Sequence, residues 1–171
     1  MINLKKIKKP FIIAEIGINH EGKFVNAKKL ILEAKKSGAD AVKFQVFKPH
    51  TLANKKLKKN KLQIKSLKKK EDLYEMWKRV SLNEKELFRL RVFAKKIKIF
   101  FICSVFDLES LNLIKKLNVD AYKIASSDIT DYFLQSHISK EKKPVILSTG
   151  MANEQEIKLA VKNIKNRNIS I

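Results

Sequence analysis

Five short apolar runs, separated by longer amphipathic segments, are the feature that most constrains how this chain can fold. The runs are FIIAEIG, AVKFQ, FFICS, AYKIASSD and PVILSTG. Val, Ile and Phe occupy consecutive positions in them, a pattern typical of strands that are covered on both faces. The segments between the runs are long enough for the helical crossovers that parallel strands require. The sequence therefore predicts an α/β fold in which parallel strands alternate with helices.

Polar residues stand at the carboxyl end of every one of these runs. They are Glu15, Lys43, Ser104, Lys123, Ser126 and Ser148. Parallel strands bring their carboxyl ends to one edge of the sheet, and α/β proteins bind ligands at that edge. Two lysines without a matching pair of acids at equivalent positions indicate an anionic ligand such as a phosphate or a carboxylate, which serine hydroxyls can help to bind.

Other roles stay open for the same residues. Glu15 can pair with a lysine or orient a hydroxylated substrate. The serines can cap the helices that follow the strands. A lysine on a barrel strand can also form a Schiff base, so an aldolase is a further hypothesis.

Helix boundaries and capping residues follow from the segments between the runs. We expect a helix over residues 25–36 and helices capped by Asp107 and by the pair Asn153 and Glu156. The sequence SLNE predicts a capping box with Ser81 as the N-cap and Glu84 three positions later.

Aromatic and histidine side chains give weaker indications. Trp77 lies at helical spacing with apolar neighbours, which favours core packing over a ligand contact. His20 either touches a substrate or bonds the backbone of its own loop, and we expect His137 to be a surface or partly buried residue without a site role. None of the three histidines stands in a metal-binding spacing.

The length of the chain limits the architecture. An eight-unit α/β barrel usually takes about 250 residues, whereas this chain has 171. We find five strand candidates and the start of a sixth in residues 168–171. Either the chain is a piece of a larger protein, or its sheet closes in some other way.

Charge and composition restrict the partners. The chain carries 38 Lys and Arg against 17 Asp and Glu, a net charge of +21. Lysine is abundant along the whole chain, which indicates that the positive charge reflects a general shift of the composition towards lysine. Residues 48–70 contain a lysine-rich run, KKLKKNKLQIKSLKKK, which predicts a solvated loop that can also concentrate anions near the site. The run lacks interleaved aromatic residues, which argues against nucleic-acid binding.

The single cysteine and the amino-terminal segment bear on location. Cys103 lies inside an apolar run, so we expect a buried structural thiol and a reducing compartment. The segment MINLKKIKKP is basic but is not followed by a signal-peptide pattern, and no run is long enough to span a bilayer. These features favour a cytoplasmic protein that does not enter a membrane.

Five motifs in order carry a resemblance to a known family. They are IIAEIGINHEG, GADAVKFQ, F-x-x-S-x-F-D, YKIASSDITD and KPVILSTGMA. Together they resemble the N-acetylneuraminate (sialic acid) synthase family, which includes the legionaminic and pseudaminic acid synthases. The resemblance runs in register from Phe11 to Asn163, nearly the whole chain.

The resemblance implies an α/β fold of the (β/α)8 TIM-barrel type, truncated here to about five or six β/α units. Residues 1–171 would then be an incomplete barrel domain, and the family's small C-terminal antifreeze-like domain would be absent. The implied activity is that of a transferase that condenses phosphoenolpyruvate with N-acetylmannosamine or a related amino sugar to a nonulosonic acid and releases phosphate. Such a truncated chain is expected to have little activity alone.

The resemblance also assigns roles to residues. Glu15 and Asp128 correspond to catalytic acids, and the residues that correspond to the phosphoenolpyruvate site are Lys43, Ser104, Lys123, Ser126 and Ser148. Two of these positions depart from the common pattern, since Ser104 stands where threonine is more frequent and Asp128 where glutamate is.

The resemblance also implies a cofactor and binding partners. The family implies a divalent metal ion, manganese or magnesium, that polarises the sugar aldehyde, and its histidine ligands would lie outside this chain. The implied partners are the two small-molecule substrates together with a second copy or a companion segment. Two alternatives stay open: a non-catalytic α/β remnant that acts as an interaction module, and a basic nucleic-acid-binding domain.

Overall fold

The computed structural model describes residues 9–55, 61–64, 69–165 and 169–171. Its strands are β1 Ile13–Gly17, β2 Ala41–Val46, β3 Lys61–Ile64, β4 Lys69–Asp72, β5 Phe100–Val105, β6 Ala121–Ile124, β7 Val145–Leu147 and β8 Ile169–Ser170. Its helices are α1 Phe24–Lys36, α2 Pro49–Leu52, α3 Leu73–Val80, α4 Glu84–Lys96, α5 Leu108–Leu117, α6 Tyr132–Ser139 and α7 Glu154–Ile164.

Six of the described strands form one parallel sheet in the order β1-β2-β5-β6-β7-β8. This spatial order follows the chain order, as it does in a singly wound barrel and not in a doubly wound sheet. The α/β fold of the TIM-barrel type and the sixth strand at the end of the chain are therefore confirmed. In the part of the chain that the structure describes, β1 and β8 are the two edges of this sheet.

The main core lies between the outer face of the sheet and the helices. Strand residues such as Phe44, Phe101 and Tyr122 are fully buried there and belong to the same cluster as helix residues such as Ile31 and Leu90. Cys103 is also fully buried in this core, so the expectation of a structural thiol is confirmed. Burial raises the pKa of the Cys103 thiol, which makes the thiolate inaccessible at neutral pH.

Side-chain caps begin most of the longer helices. The Asp107 side chain accepts a hydrogen bond from the backbone N–H of Ser110 at the start of α5. Asn153 and Glu156 form a capping box at the start of α7, as predicted.

Helix α4 begins two residues later than the sequence predicted. Its capping box joins Asn83 and Glu86, so the prediction of Ser81 with Glu84 is wrong. The Ser81 hydroxyl instead donates a hydrogen bond to the backbone carbonyl of Trp77 at 2.7 Å, which closes the end of α3. Both tetrapeptides fit the capping pattern, and the preceding helix decides between them.

The lysine-rich stretch after β2 contains regular structure that the sequence did not predict. Helix α2 is followed by an antiparallel hairpin of β3 and β4, in which Lys61 pairs with Asp72 and Ile64 with Lys69. The predicted irregular loop over residues 48–70 is therefore wrong for these parts, and residues 56–60 and 65–68 lie outside the described residues. Glu71 anchors the hairpin to α3, because its two carboxylate oxygens accept hydrogen bonds from the Arg79 guanidinium at 2.9, 3.0 and 3.1 Å.

The inner face of the sheet is built from every second residue of each strand. Directly paired residues of parallel strands point to the same side. At the amino-terminal half of this face lies a group of apolar side chains, which we call the apolar layer: Ile13, Ala41, Ile102, Ala121 and Ile146. Two positions later along the chain come polar residues, four of them on the same strands and Ser148 directly after β7, which we call the polar layer: Glu15, Lys43, Ser104, Lys123 and Ser148. Strand alternation thus places the polar layer on the inner face of the sheet, towards the carboxyl ends of the strands.

Candidate active site

A cavity of about 760 Å³ opens at the carboxyl ends of the strands. All seven residues that the sequence singled out line it: Glu15, Lys43, Ser104, Lys123, Ser126, Asp128 and Ser148. They come from β1, β2, β5 and β6 and from the turns that follow β6 and β7. The expected convergence at one edge of the sheet is therefore present in the structure.

Register explains why these side chains meet. Ser104 of β5 lies opposite Gln45 of β2 on one side and opposite Lys123 of β6 on the other. Lys43 precedes Gln45 by two residues and therefore shares its face. The hydroxyl of Ser104 accepts a hydrogen bond from the Lys43 ammonium at 3.4 Å, and the Ser104 side chain is almost completely buried.

Lys43 is paired with an acid. Its ammonium forms an ion pair with the Glu15 carboxylate, with 15% of the Lys43 side chain and 47% of the Glu15 side chain exposed. The expectation that the lysines lack acidic partners is wrong for Lys43, and the alternative in which Glu15 pairs with a lysine is the one observed. Gly17 shapes this corner, because its φ is +54° and a Cβ there would lie 3.0 Å from the Glu15 Oε1.

Lys123 differs from Lys43 in its surroundings. Its ammonium donates a hydrogen bond to the backbone carbonyl of Ile124, and within the described ranges no carboxylate lies at ion-pair distance from it. Burial, and then the charge of Lys43, lower the pKa of Lys123 to about 8, although Glu15 and Asp128 act in the opposite direction. The site therefore contains an ammonium whose charge is only partly compensated by the protein.

Asp128 lies in the short 3₁₀ turn Ser126–Asp128 after β6. Burial raises the pKa of its carboxyl group, against the hydrogen bond from the Ser127 hydroxyl at 3.2 Å and the charge of Lys123, which lower it. Its Oδ2 atom is buried and makes no hydrogen bond to any described residue. Such a carboxyl group can hold a proton more readily than an exposed aspartate.

Serine hydroxyls complete the polar side of the cavity. Ser126 opens the 3₁₀ turn, and Ser148 follows β7, where its backbone N–H donates to the carbonyl of Ile124 at 3.1 Å. Both side chains are partly exposed to the cavity. They do not cap the helices that follow, because Asp131 caps α6 and Asn153 caps α7.

Sequence reasoning missed several residues of the cavity: Gln45, Leu52, Leu73, Trp77, Phe106, Ala125 and Ser127. Gln45 had an available signal, since it is a polar residue two positions after Lys43 in an apolar run. Trp77 was expected in the core, but it is half-buried and lines the cavity. The spacing of apolar residues in α3 could not distinguish a core from a cavity wall.

The histidines take structural or surface positions. His20 is 2% exposed, and its Nδ1 accepts a hydrogen bond from the backbone N–H of Gly22 at 3.0 Å, so it bonds its own loop. His50 contacts Glu109 at 3.1 Å on the surface. His137 is partly buried on α6 and does not line the cavity, as expected.

The described residues do not fit a metal ion of the kind that the resemblance implies. No group of three or more His, Cys, Asp or Glu side chains converges anywhere in ranges 9–55, 61–64, 69–165 and 169–171. The carboxylate of Glu15 is engaged by Lys43. None of the described helices combines the length and apolar character that crossing a bilayer requires.

Curated proteins that are similar to this chain include synthases of two organisms. The N,N'-diacetyllegionaminic acid synthase of Legionella pneumophila is 41% identical over 155 residues, which cover 91% of this chain and 44% of that protein. A pseudaminic acid synthase of Campylobacter jejuni is 37% identical over 155 residues, covering 91% of this chain and 45% of that protein. The chain thus spans less than half the length of these relatives.

Solved structures and a family model agree with these relatives. The N-acetylneuraminic acid (sialic acid) synthetase of Leptospira borgpetersenii, in complex with citrate, superposes with a TM-score of 0.79 at 32% identity, over 92% of this chain and 50% of that one. A truncated 3-deoxy-D-arabino-heptulosonate 7-phosphate synthase of Thermotoga maritima shares the fold, with a TM-score of 0.67 at 18% identity. Residues 30–171 match the model of the NeuB family. On these grounds, the chain belongs to the NeuB family.

Proposed function

We propose that this chain carries the phosphoenolpyruvate half of a synthase that condenses phosphoenolpyruvate with an N-acetylated amino sugar, such as N-acetylmannosamine, and releases phosphate. The product would be a nonulosonic acid, as the names of the relatives from Legionella and Campylobacter indicate for those proteins. The observation that carries the proposal is the presence of two ammonium groups and several hydroxyls in one cavity at the strand ends.

Lys43 and Lys123 would bind the two anionic groups of phosphoenolpyruvate. Its carboxylate and phosphate are separate charges, so a ligand of this kind can contact two ammonium groups at once. An anion beside Lys123 would supply the missing counter-charge and raise the pKa of Lys123 from about 8. The burial that makes Lys123 costly without a ligand would then strengthen its interaction with the bound anion.

The serines would orient the same ligand. Ser104 already contacts Lys43, and Ser126 and Ser148 lie on the turns beside Lys123. Hydroxyl groups can donate to phosphate or carboxylate oxygens without adding charge, so they fix the direction in which the ligand lies. Holding the enol carbon in one position relative to the sugar aldehyde contributes to catalysis by orientation.

Glu15 and Asp128 would act on the sugar. Nearly half of the Glu15 side chain is exposed to the cavity, so it can accept hydrogen bonds from sugar hydroxyls once an anion competes for Lys43. Asp128, whose carboxyl pKa is raised by burial, would hold the proton that the aldehyde oxygen needs.

The proposed reaction begins with formation of a carbon–carbon bond and ends with release of phosphate. The C3 carbon of phosphoenolpyruvate attacks the aldehyde carbon, and the aldehyde oxygen takes a proton from Asp128 to become a hydroxyl. Water adds to the resulting oxocarbenium centre at C2, and the proton it loses restores Asp128. The C2 hydroxyl then becomes the keto oxygen as the bond from C2 to the phosphate oxygen breaks, and its proton leaves with the phosphate. The two lysines stabilise the negative charge on the leaving phosphate and the carboxylate throughout.

A second copy or a companion segment would cover the sheet edges. The outer edges of β1 and β8 carry backbone groups that pair with no other described strand, and such edges favour association. Size-exclusion chromatography of the chain at several concentrations tests this part, and a concentration-independent monomer would argue against it.

A phosphate-release assay tests the proposed function. The chain, alone and together with any companion segment, is incubated with manganese and with phosphoenolpyruvate, N-acetylmannosamine or both. The proposal expects phosphate only when both substrates are present, and loss of that release in the Lys43→Met and Lys123→Met variants. Phosphoenolpyruvate binding without turnover supports the binding half alone, whereas absence of binding in isothermal titration overturns the proposal.

A further inference from the structure

The outer surface of α1 and α4 combines positive charge with exposed apolar side chains, and the proposed function gives it no role. The two helices lie side by side and pack on the outer face of the sheet. Together they contain nine Lys or Arg residues against three Glu residues. They are separate from the cavity at the strand ends, because no residue of either helix lines that cavity.

Helical spacing gathers the cationic and apolar residues on the side of each helix that faces solvent. On α4 these residues are Lys85, Arg89, Val92 and Lys96, and on α1 they are Val25, Lys28, Lys29 and Leu32. They recur at intervals of three and four, the spacing of a single helix face. We call these eight residues the basic face. Its apolar members project into solvent, since 74% of Val25 and 66% of Val92 are exposed.

Two cations of the basic face are held by aromatic rings of the opposite helix. The Arg89 guanidinium lies over the Phe24 ring of α1, 4.2 Å from its centroid, and the Lys28 ammonium lies over the Phe93 ring of α4 at 5.0 Å. These residues line an open groove of about 390 Å³ between the helices. An aromatic ring attracts a cation without neutralising it. Both charges are therefore fixed on the surface and stay available to an anion.

The acidic residues of the two helices do not neutralise the basic face. Glu33 pairs with Lys36 at 3.0 Å, and Glu84 approaches Lys116 of α5 at 3.9 Å. Glu86 is part of the capping box of α4. Among the described residues, the five cations of the basic face form no ion pair with a carboxylate. The face is thus complementary in charge to an extended anionic surface.

The combination of charge and apolar side chains favours one kind of partner. A second copy docked face to face would bring like charges together, in a chain whose net charge is +21. A small anion would leave Val25, Leu32 and Val92 in water. The surface of a bilayer with anionic lipids offers negative head groups in a plane and an apolar boundary just beneath them. Such a surface satisfies the cations and the exposed apolar side chains at once.

We propose that the basic face docks the protein onto the surface of a bilayer that contains anionic phospholipids. Its cations contact the head groups, and its three apolar side chains reach the boundary with the acyl chains. The arrangement needs no segment that crosses the bilayer. The cavity opens at the carboxyl ends of the strands, so docking through the outer helices leaves it accessible to substrates. The inference is independent of the proposed function.

Co-sedimentation of the full chain with lipid vesicles tests the docking. The vesicles consist of phosphatidylcholine alone or of equal parts of phosphatidylcholine and phosphatidylglycerol. We expect binding to the vesicles with phosphatidylglycerol and none to those without it. The partition coefficient should fall as salt is raised, because salt screens exposed charges.

One pair of variants distinguishes the basic face from the overall charge. Lys29→Gln combined with Lys96→Gln removes two exposed cations of the face. This change should lower the partition coefficient about tenfold or more, since each cation near an anionic surface contributes about a fivefold effect. The matched control, Lys158→Gln combined with Lys162→Gln on α7, lowers the net charge equally and should change the coefficient by less than about threefold.

A second pair of variants tests the apolar contribution. Val92→Ser makes one exposed apolar position of the face polar and should lower the partition coefficient about threefold or more. Leu159→Ser does the same to an exposed leucine of α7 and should leave the coefficient unchanged. All of these substitutions alter exposed side chains, so thermal unfolding followed by circular dichroism should match that of the wild type.

The outcomes also separate this inference from its rivals. Absence of binding to phosphatidylglycerol vesicles, or equal binding to phosphatidylcholine alone, overturns it. Equal weakening by the two double variants overturns it as well, because the overall charge would then attract the vesicles. Binding of a polyglutamate peptide without any vesicle binding would overturn it in favour of an acidic protein partner. Vesicle binding that depends on the basic face, in a chain that binds no phosphoenolpyruvate, would support the docking and overturn the proposed function.

Discussion

The apolar layer and the polar layer lie on the same face of the sheet, two residues apart along the chain. Ala41, Ile102 and Ala121 of the apolar layer are fully buried and pack against one another across neighbouring strands. In the polar layer, Lys123 is held in surroundings that disfavour its charge. One layer therefore stabilises the sheet and the other is maintained at some cost to stability, which is the pattern expected of a binding site built on a rigid support.

The largest expected effect is on the apolar layer. Ile102→Ala removes a fully buried side chain from the inner face and should lower the free energy of unfolding by about 3 kcal/mol, measured by denaturant titration. Ser104→Ala, two residues later on the same face, should change it by less than about 1 kcal/mol. A larger loss for Ser104→Ala than for Ile102→Ala would contradict the division between the layers.

The next effect concerns pH and the polar layer. Phosphoenolpyruvate binding requires the charged form of Lys123, whose pKa in the free protein is about 8. Its affinity should be nearly constant from about pH 7 to 8 and then fall about tenfold per pH unit as the ammonium loses its proton. Calorimetric titrations at several pH values measure this, with Lys123→Met as the control that should show no such fall. A flat profile in the wild type would contradict the assignment.

A smaller effect is expected on the free energy of unfolding, which should rise with pH in the range where phosphoenolpyruvate affinity falls. The pKa of Lys123 in the folded chain, about 8, lies below its ordinary value of 10.5. The unfolded chain therefore binds more protons between these values, and stability rises with pH across that window; below about pH 8 the full cost of the buried charge is present. Lys123→Met removes that cost and should raise the free energy of unfolding at pH 7 by about 1 kcal/mol, a value reduced by partial solvent screening. A destabilised variant would place Lys123 among the stabilising residues instead.

The smallest effect concerns the pair of Glu15 and Lys43. Glu15→Gln removes a carboxylate that competes with an incoming anion for the Lys43 ammonium. Phosphoenolpyruvate affinity should rise about two- to fivefold, as expected for a partly exposed ion pair, while phosphate release with the sugar falls. Glu21→Gln, an exposed acid in the loop after β1, should change neither quantity. Weaker phosphoenolpyruvate binding in Glu15→Gln would show that Glu15 supports the anion site.

The positions of the polar side chains at the strand ends could be predicted from the sequence, because they depend on residues that are close together in the chain. A lysine inside a run of buried apolar residues, as at Lys43 and Lys123, has to face a cavity or a partner. Since alternation and parallel pairing then fix the direction of each side chain, the convergence of the polar layer followed without coordinates. The roles given to these residues stay predictions.

Features that depend on distant packing could not be predicted. The hairpin of β3 and β4 lies in a stretch dominated by lysine, and its attachment to α3 through Glu71 and Arg79 joins residues that no local pattern links. Trp77 has helical spacing in α3, but among that helix's described side chains only Val80 is buried, because the helix lies over the cavity and not on the outer core. The competition between Ser81 and Asn83 as caps was likewise decided by the end of the neighbouring helix.

The most direct test asks whether a specific site or the overall charge of +21 binds the anion. Phosphoenolpyruvate is titrated calorimetrically into the wild type and into the variants Lys123→Met and Lys28→Met, the second of which removes a lysine from the outer helix α1 and lowers the net charge equally. We predict equal affinities for the wild type and Lys28→Met and an affinity about thirtyfold or more lower for Lys123→Met, as expected when a partly buried charged partner is lost. Equal weakening by the two substitutions, or none by either, would contradict the account.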